Sequence, residues 1–225
     1  MTYNLRGLRH GVDRVAEAIG GQSPDVLLVQ ESGPRRAFRR LAERLGMRGT
    51  SDPWSPFRRR IQNAILIRPP LAIESSRLHR LSRSELWYPR GALVARVVGP
   101  GLSIWCVSVH LGMRPRDRRR HGVELERLCG ALGSPVVMGG DLNEGPDGAA
   151  ASRIGRFMVD AWTTAGSGIG ETIYSWDRKL RIDYVFVSTG IETDACRVPS
   201  EPGVVAASDH LPVVADVCLA DGEEA

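Results

Sequence analysis

The chain has 225 residues, 42% of them hydrophobic, with a formal net charge of +4 and an isoelectric point near 9.2. That suffices for one substantial core, and its apolar runs fall far short of the ~20 residues a membrane-spanning helix needs, which excludes a helical membrane protein. Of the 30 basic residues 29 are Arg, a balance that fits either a phosphate-rich partner or arginine-heavy codon usage.

Nothing divides the chain cleanly, so we expect one domain over residues 1–220 and a solvated acidic tail at 221–225. The opening Met1-Thr2-Tyr3-Asn4-Leu5-Arg6 lacks the basic-then-apolar order of a secretory signal, which predicts a cytoplasmic protein. Cys106, Cys129, Cys196 and Cys218 form no C-x-x-C or zinc-like spacing, and predict buried reduced thiols.

In chain order, the shared face of Val12, Val15, Ala16 and Ile19 predicts a helix, followed by a continuous apolar strand from Val26 to Val29 that ends at Gln30-Glu31. Pro34 opens a second helix to about Leu45, with Phe38, Leu41 and Leu45 inside and Arg35, Arg36, Arg39, Arg40 and Arg44 largely outside. Ala64 to Ile67, Leu71 to Ile73, Ala92 to Val98 and Ser103 to Val109 carry strand signals, separated by Pro69-Pro70, an Arg/Ser-rich stretch and Gly99-Pro100-Gly101. Arg116 to Leu132 reads as a helix, and Pro135 to Met138 as a buried strand running through Gly139-Gly140 into Asp141-Leu142-Asn143. Glu144 to Lys179 is rich in Gly and predicts a long surface connection, interrupted by a short helix around Ala150 to Phe157. Ile182 to Val187, Glu192 to Val198 and Pro212 to Leu219 complete the strands, and the mixed order of strands and helices points to a layered α/β sandwich.

Polar signals stand at five strand ends: Asn4, Gln30-Glu31, His110-Leu111, Asp141-Leu142-Asn143 and Ser208-Asp209-His210. Strand ends are where α/β folds place sites. Residues two apart in an extended segment share a side, so Asp141 and Asn143 can meet one ligand while Leu142 enters the core. Asp209 and His210, as neighbours, face different ways, so one can hold a metal and the other a phosphate. Taken singly, each signal is equally a strand end, a turn or a loop hydrogen bond. Together they form oxygen-rich chemistry that suits Mg²⁺, with Mn²⁺ as the alternative, and no Cys/His cluster suggests structural zinc. Asp183, within Ile182 to Val187, reads either as the carboxylate partner of a histidine or as a cross-strand hydrogen bond.

The order of these pieces resembles the endonuclease/exonuclease/phosphatase superfamily, the fold shared by pancreatic-type deoxyribonucleases, neutral sphingomyelinases and inositol-polyphosphate 5-phosphatases. The resemblance rests on Thr2-Tyr3-Asn4, Gln30-Glu31, Asn63-Ala64-Ile65-Leu66, Val109-His110-Leu111, Gly140-Asp141-Leu142-Asn143, Arg181-Ile182-Asp183-Tyr184 and Ser208-Asp209-His210-Leu211-Pro212, and spans nearly the whole chain. It implies a four-layer α/β sandwich of two mixed β-sheets packed face to face with helices outside. It further implies a divalent-metal-dependent phosphoester hydrolase. In that reading Glu31, Asn4 and Asp209 hold the metal, Asp141 positions and deprotonates the attacking water, and Asn143 holds the phosphate. His210, oriented by Asp183, binds the phosphoryl oxygens, and His110 is a second phosphate contact or the leaving-group acid. The abasic-site endonuclease branch usually carries a Tyr-containing motif where this chain has His110-Leu111, which argues against a DNA-repair role.

Two other readings stay open at this point: a DNA or RNA nuclease of the same fold, and a non-catalytic phosphate-binding domain. Substrate choice is expected from the segments Ser51 to Ile61, Ser75 to Arg90 and Gly145 to Lys179, where Trp54, Trp87, Tyr88, Tyr174 and Trp176 could stack on a base or headgroup. Arg114, Arg116, Arg118, Arg119 and Arg120 read as a solvated helix face or as a lure for a polyanion. Asn63 either approaches the phosphate or caps a strand, and Gly166 to Gly170 reads as a flexible linker.

Overall fold

The structure is a computed structural model that describes residues 1–53, 60–82, 89–175 and 178–220. Trp54, Trp87, Tyr88, Trp176, the side chain of Tyr174 and the tail 221–225 lie outside that description. No helix of the described residues is long and apolar enough to cross a membrane.

The chain begins with strand β1 (Thr2–Asn4), helix α1 (Val12–Gly20), strand β2 (Val26–Gln30), helix α2 (Arg35–Arg44), and strands β3 (Arg48–Ser51) and β4 (Ala64–Ile67). A meander follows: β5 (Ala72–Arg80), β6 (Gly91–Gly99) and β7 (Leu102–His110). Helix α3 (Pro115–Leu132) starts with Pro at its first position, where no intrahelical N–H is lost, and stops at Gly133, whose φ of 71° suits glycine. Then come β8 (Val136–Asp141), α4 (Ala149–Ile154), β9 (Val159–Asp160), α5 (Ala161–Ala165), β10 (Gly166–Ser167), β11 (Ile173–Ser175) and β12 (Arg178–Leu180). The chain closes with β13 (Asp183–Val187), β14 (Ile191–Arg197), α6 (Pro202–Val205) and β15 (Val214–Leu219).

Two large sheets result. The first has the order β5-β6-β7-β8-β13-β9, antiparallel except where β8 runs parallel to β7. The second has the order β3-β4-β2-β1, with β1 and β2 parallel, and a bridge from Thr2 to Val213 continues it into β15, β14 and β10. Side-chain alternation explains why the central strands read as unbroken apolar runs. On β2, Leu28 enters the layer between the sheets with Ile65, Leu93, Ala95 and Cys106, while Leu27 and Val29 face outward onto α1 and α2. On β7, Cys106 faces inward, whereas Val107 and Val109 pack against Leu125 and Leu128 of α3. The architecture is the expected α/β sandwich with helices on the outside.

Three expectations need correction. The strand expected at Leu71 to Ile73 extends through Arg80, because β5 is a mostly exposed edge strand that sets only Ile73 and Leu78 against the inter-sheet core, and hydrogen bonding to β6 rather than an apolar period defines it. The connection from Glu144 to Lys179 is not a bare loop: it buries Ala150, Ala151, Ile154, Met158 and Ala161, and Asp160 caps α5 by accepting from Trp162 N at 3.0 Å. Cys106, Cys129 and Cys196 are buried free thiols, but Cys218 is exposed, since the end of β15 from Asp216 to Leu219 is exposed on both faces.

Close approach of β7 and β8 sets a residue requirement. A Cβ built on Gly140 would lie 1.9 Å from the Val109 carbonyl oxygen, so only glycine permits the pairing that brings His110 opposite Asp141. Gly140→Ala is therefore expected to destabilise the fold by at least the ~1–3 kcal/mol typical of overpacking. Urea unfolding monitored by circular dichroism measures it; an unchanged midpoint would refute the requirement.

Candidate active site

The parallel pairs decide where the polar residues meet. β1 with β2, and β7 with β8, each end on the same side, which places Asn4 beside Gln30 and His110 beside Asp141. β13 runs antiparallel to β8, so its first residue, Asp183, lies opposite Asp141. The two sheets are joined beneath the site by a polar ladder: Thr2 Oγ1 and Gln30 Nε2 donate to Gln30 Oε1 and Ser108 Oγ at 3.3 and 3.0 Å, and Ser108 Oγ donates to Val29 O at 2.8 Å. Asn63 belongs to this ladder, its Nδ2 donating to the carbonyls of Gly91 and Ser108 at 2.9 and 2.8 Å, so it links strands rather than facing a ligand.

Asp141 is 2% exposed. Its Oδ2 accepts from Asn4 Nδ2 at 3.0 Å and lies 3.3 Å from His110 Nε2, and its Oδ1 accepts from the Asn143 backbone N–H at 2.8 Å. Asn143 takes a left-handed φ of 55°, which asparagine tolerates, and its Nδ2 donates to Leu111 O at 3.0 Å while Leu142 is buried in the core. Burial and the Asp183 carboxylate push the Asp141 carboxyl up from 3.8 to about 6, against the opposing pull of His210 and of hydrogen bonds from Asn143 and Asn4.

His210 Nδ1 donates to Asp183 Oδ2 at 2.8 Å, and its Nε2 lies 3.9 Å from Asp141 Oδ2. Burial opposes the charge on His210, but Asp183, followed by Asp141 and Asp209, outweighs it and lifts the imidazole from 6.5 to about 10. Asp183 is fully buried, and its Oδ1 has no hydrogen-bond partner among the described residues. One oxygen each of Asp141 and Asp183 and one His210 nitrogen lie within 4.8 Å of one another, close enough for a cation; a charged His210, however, has no lone pair to offer, and it is hydrogen-bonded to Asp183 while standing beside Asp141 without a hydrogen bond to it.

His110 behaves oppositely. Burial, then the Arg90 guanidinium and His210, hold it well below 6.5, and Arg90 NH1 lies 2.9 and 2.8 Å from its two ring nitrogens. A neutral imidazole results, with one nitrogen as acceptor and one as donor.

Glu31 and Asp209 stand apart from this cluster. Glu31 lines a cavity of about 620 Å³ together with His110, Arg6, Arg9, Arg60, Gln62 and Arg90. Its carboxylate has no hydrogen-bond or ion-pair partner among the described residues. Asp209 Oδ2 meets Arg6 Nε at 3.1 Å, so any cation there competes with that guanidinium. Arg6 N in turn donates to Asn4 Oδ1 at 3.0 Å, which brings Asn4, Asp209 and the cavity wall together.

One contributor, Thr172, carries no sequence signal, and Ser208 adds a structural role to the strand-end signal it belongs to. Thr172 is fully buried; its Oγ1 accepts from the backbone of Ile182 and Asp183, both at 3.0 Å, and its carbonyl accepts from Leu211 N at 2.6 Å. It thereby fixes Asp183 against the His210 segment. Ser208 Oγ donates to Asn4 O at 2.8 Å and ties that segment to β1. Of the arginines after His110, Arg118 donates to Glu144 Oε2 at 2.7 Å, whereas Arg114, Arg116, Arg119 and Arg120 are exposed.

The sign of the Asp141 shift makes a stability prediction. A carboxyl whose folded pKa is raised binds its proton more tightly when folded, so ionisation costs stability as pH rises from 3.8 through about 6. Asp141→Asn should therefore melt at a higher temperature than the unaltered chain at pH 8, by a margin that shrinks as pH falls towards 4. Calorimetry at both pH values reads it, and a margin independent of pH would contradict it.

A sequence profile of the Endonuclease/Exonuclease/phosphatase family matches residues 1–210. No curated protein matches the chain. Among solved structures, an endonuclease/exonuclease/phosphatase from Bacteroides vulgatus is 21% identical, with 97% of each chain covered and a TM-score of 0.85. A mannosyl-6-phosphatase from Bacteroides thetaiotaomicron is 18% identical over 97% of this chain and 98% of its own, with a TM-score of 0.80. D. rerio TDP2 in complex with a single-strand DNA product is 15% identical over 96% and 97%, with a TM-score of 0.75. At these identities the structures show a shared fold.

Proposed function

Because the chain belongs to the endonuclease/exonuclease/phosphatase family, we propose that its cleft hydrolyses phosphoester bonds with the aid of a divalent cation, Mg²⁺ or Mn²⁺. The observation that carries this reading is the buried relay in which Asp183 holds a charged His210 at 2.8 Å beside an Asp141 carboxyl tuned to about 6. A strongly raised imidazole and a raised carboxyl side by side supply a fixed cation and a base, which phosphoryl transfer to water requires.

The donors fit a hard cation, since Glu31, Asn4 Oδ1 and Asp209 offer oxygens only, and Glu31 lines the cavity with no partner among the described residues. These three would hold it. When bound, such a cation neutralises phosphoryl charge and lowers the barrier electrostatically.

The chain's own residues divide the remaining work. Asp141, ionised above about pH 6, orients a water and takes its proton. Asn143 Nδ2, which donates to Leu111 O, is the donor available to a phosphoryl oxygen. His210 Nε2–H supports the charge that gathers on the phosphoryl oxygens, and Asp183 fixes its tautomer. The depressed His110 favours a neutral phosphate contact over the leaving-group acid. A cleft bordered by Arg6, Arg9, Arg60 and Arg90 favours, as a second reading, a nucleic-acid substrate. Plasmid cleavage falling steeply between about 50 and 200 mM salt would support that reading.

Hydrolysis of bis(p-nitrophenyl) phosphate should vanish with chelator and return with Mg²⁺ or Mn²⁺. Asp141→Ala and His210→Ala should each lose at least the ~10²-fold that a positioned acid-base group contributes. Undiminished turnover in either variant rejects that role, and phosphate binding without turnover makes the chain a non-catalytic phosphate-binding domain.

The pH profile offers a separate check. kcat/KM is expected to rise through about 6 as the relay gains its carboxylate and to fall towards 10 as it loses the imidazolium proton. Asp183→Asn should move the alkaline limb down towards the ordinary imidazole range; an unmoved limb would assign it to another group.

A further inference from the structure

Glu31 sits just past the end of β2 with a left-handed φ of 49°, a conformation that side-chain-bearing residues adopt only where their surroundings impose it. The residues that impose it are identifiable. Gly7 N donates to Glu31 O at 2.9 Å, and Ser32 N and Gly33 N donate to Gln62 O and Gln62 Oε1 at 2.9 and 3.1 Å. Gly33 is pressed against Gly7 so closely that a Cβ on it would lie 2.4 Å from the Gly7 carbonyl oxygen.

Arg60 completes the enclosure. Its NH1 donates to Gly33 O at 2.6 Å, its NH2 to Ser32 Oγ at 3.2 Å, and its Nε and NH2 to Asp52 Oδ1 at 3.2 and 3.0 Å. One guanidinium thus grips both residues after Glu31 and is itself anchored to β3's end, where Asp52 is 1% exposed and its backbone N–H donates to Asn63 O at 3.1 Å. Arg35 NH2 adds a bond to Asp52 O at 2.7 Å. Asp52 Oδ2 is buried with no hydrogen-bond partner among the described residues, while the Arg60 side chain stays 24% exposed, so the ion pair is partly desolvated and incompletely satisfied. Such a pair is weak evidence for stabilisation, and its rigid fork geometry is better suited to fixing position.

We propose that Arg60, locked to Asp52, is a positioning residue that holds the Glu31 carboxylate in place for a divalent cation. The inference rests on the reading of Glu31 as a ligand. Arg60 acts through the Gly33 carbonyl and the Ser32 hydroxyl: its fork keeps the turn from relaxing to ordinary φ values at Glu31 and Gly33, which would swing the carboxylate away from the cleft. Residues that orient ligands without touching the metal typically govern about 10- to 100-fold in affinity.

The test is Mn²⁺ binding, read from the electron paramagnetic resonance signal of free Mn²⁺, for the unaltered chain, Arg60→Met, Arg60→Lys, Asp52→Asn and Glu31→Gln. Arg60→Met and Asp52→Asn should weaken binding by about tenfold or more. Arg60→Lys, keeping the charge but not the fork, should recover part of the loss. Hydrolysis by Arg60→Met should be low at limiting Mn²⁺ and return at saturating Mn²⁺. Folded Arg60→Met with unchanged Mn²⁺ affinity overturns the proposal, as does a defect confined to KM for substrate, which would make Arg60 a substrate contact. Should Arg60→Met fail to fold, the near-isosteric Asp52→Asn is read by the same criterion. Glu31→Gln binding Mn²⁺ as tightly as the unaltered chain overturns the ligand assignment itself, whereas weakened Glu31→Gln beside unaltered Arg60→Met overturns only the role of Arg60. An unaltered chain that binds no Mn²⁺ overturns both.

Discussion

Two carboxylates, Asp141 and Asp183, face each other across β8 and β13, each almost fully removed from water. Like charges at that spacing in a poorly solvated setting raise one carboxyl and demand a compensating cation, and His210 is that cation. The residues around the pair act on this constraint. Thr172 and Ser208 fix the segments that carry Asp183 and His210, and Asn4 and Asn143 donate to Asp141. The burial and the repulsion that cost stability leave Asp141 with a raised affinity for a proton, so the strain and the proposed chemistry share their causes.

A second constraint is the joining of two sheets at one edge. Apolar packing of Leu28, Ile65, Leu93 and Cys106 holds them together but leaves their relative slide weakly defined. Directional bonds define it: Gln30 to Ser108, Ser108 to Val29 O, and Asn63 to the carbonyls of Gly91 and Ser108. Asn4 on one sheet can then meet Asp141 on the other at 3.0 Å, although 137 residues separate them in the chain.

The two histidines illustrate how neighbours set chemical character. His110 and His210 are both buried, and burial alone disfavours charge on each. Arg90 reinforces that tendency at His110, whereas Asp183 reverses it at His210. The cavity wall of Arg6, Arg9, Arg60 and Arg90 surrounds the Glu31 carboxylate, which has no partner among the described residues, and this sets an anion-attracting rim about a cation-attracting centre.

The sequence by itself determined the strands and helices with strong apolar periods, the polar residues at strand ends, and the family those residues resemble; periodicity is local, so local residues carry it. It left β5 short, because a mostly exposed edge strand with a register shift between Ile73 and Ser75 carries too few apolar residues to imprint a period, and it read 144–179 as a connection, because α4, α5 and the short strands there are held by Ala150, Ile154, Ala161 and Thr172 against distant elements. Only the tertiary structure decided which strand-end residues meet. Parallel pairing of β1 with β2 and of β7 with β8, and antiparallel pairing of β13 with β8, gather Asn4, His110 and Asp141 with Asp183, Asn143 and His210, and set Glu31 against the cavity and Asp209 against Arg6. It also decided the protonation of each histidine and the grip of Arg60 on the Glu31 loop, since burial and hydrogen-bond partners are properties of neighbours in space, which spacing along the chain does not encode.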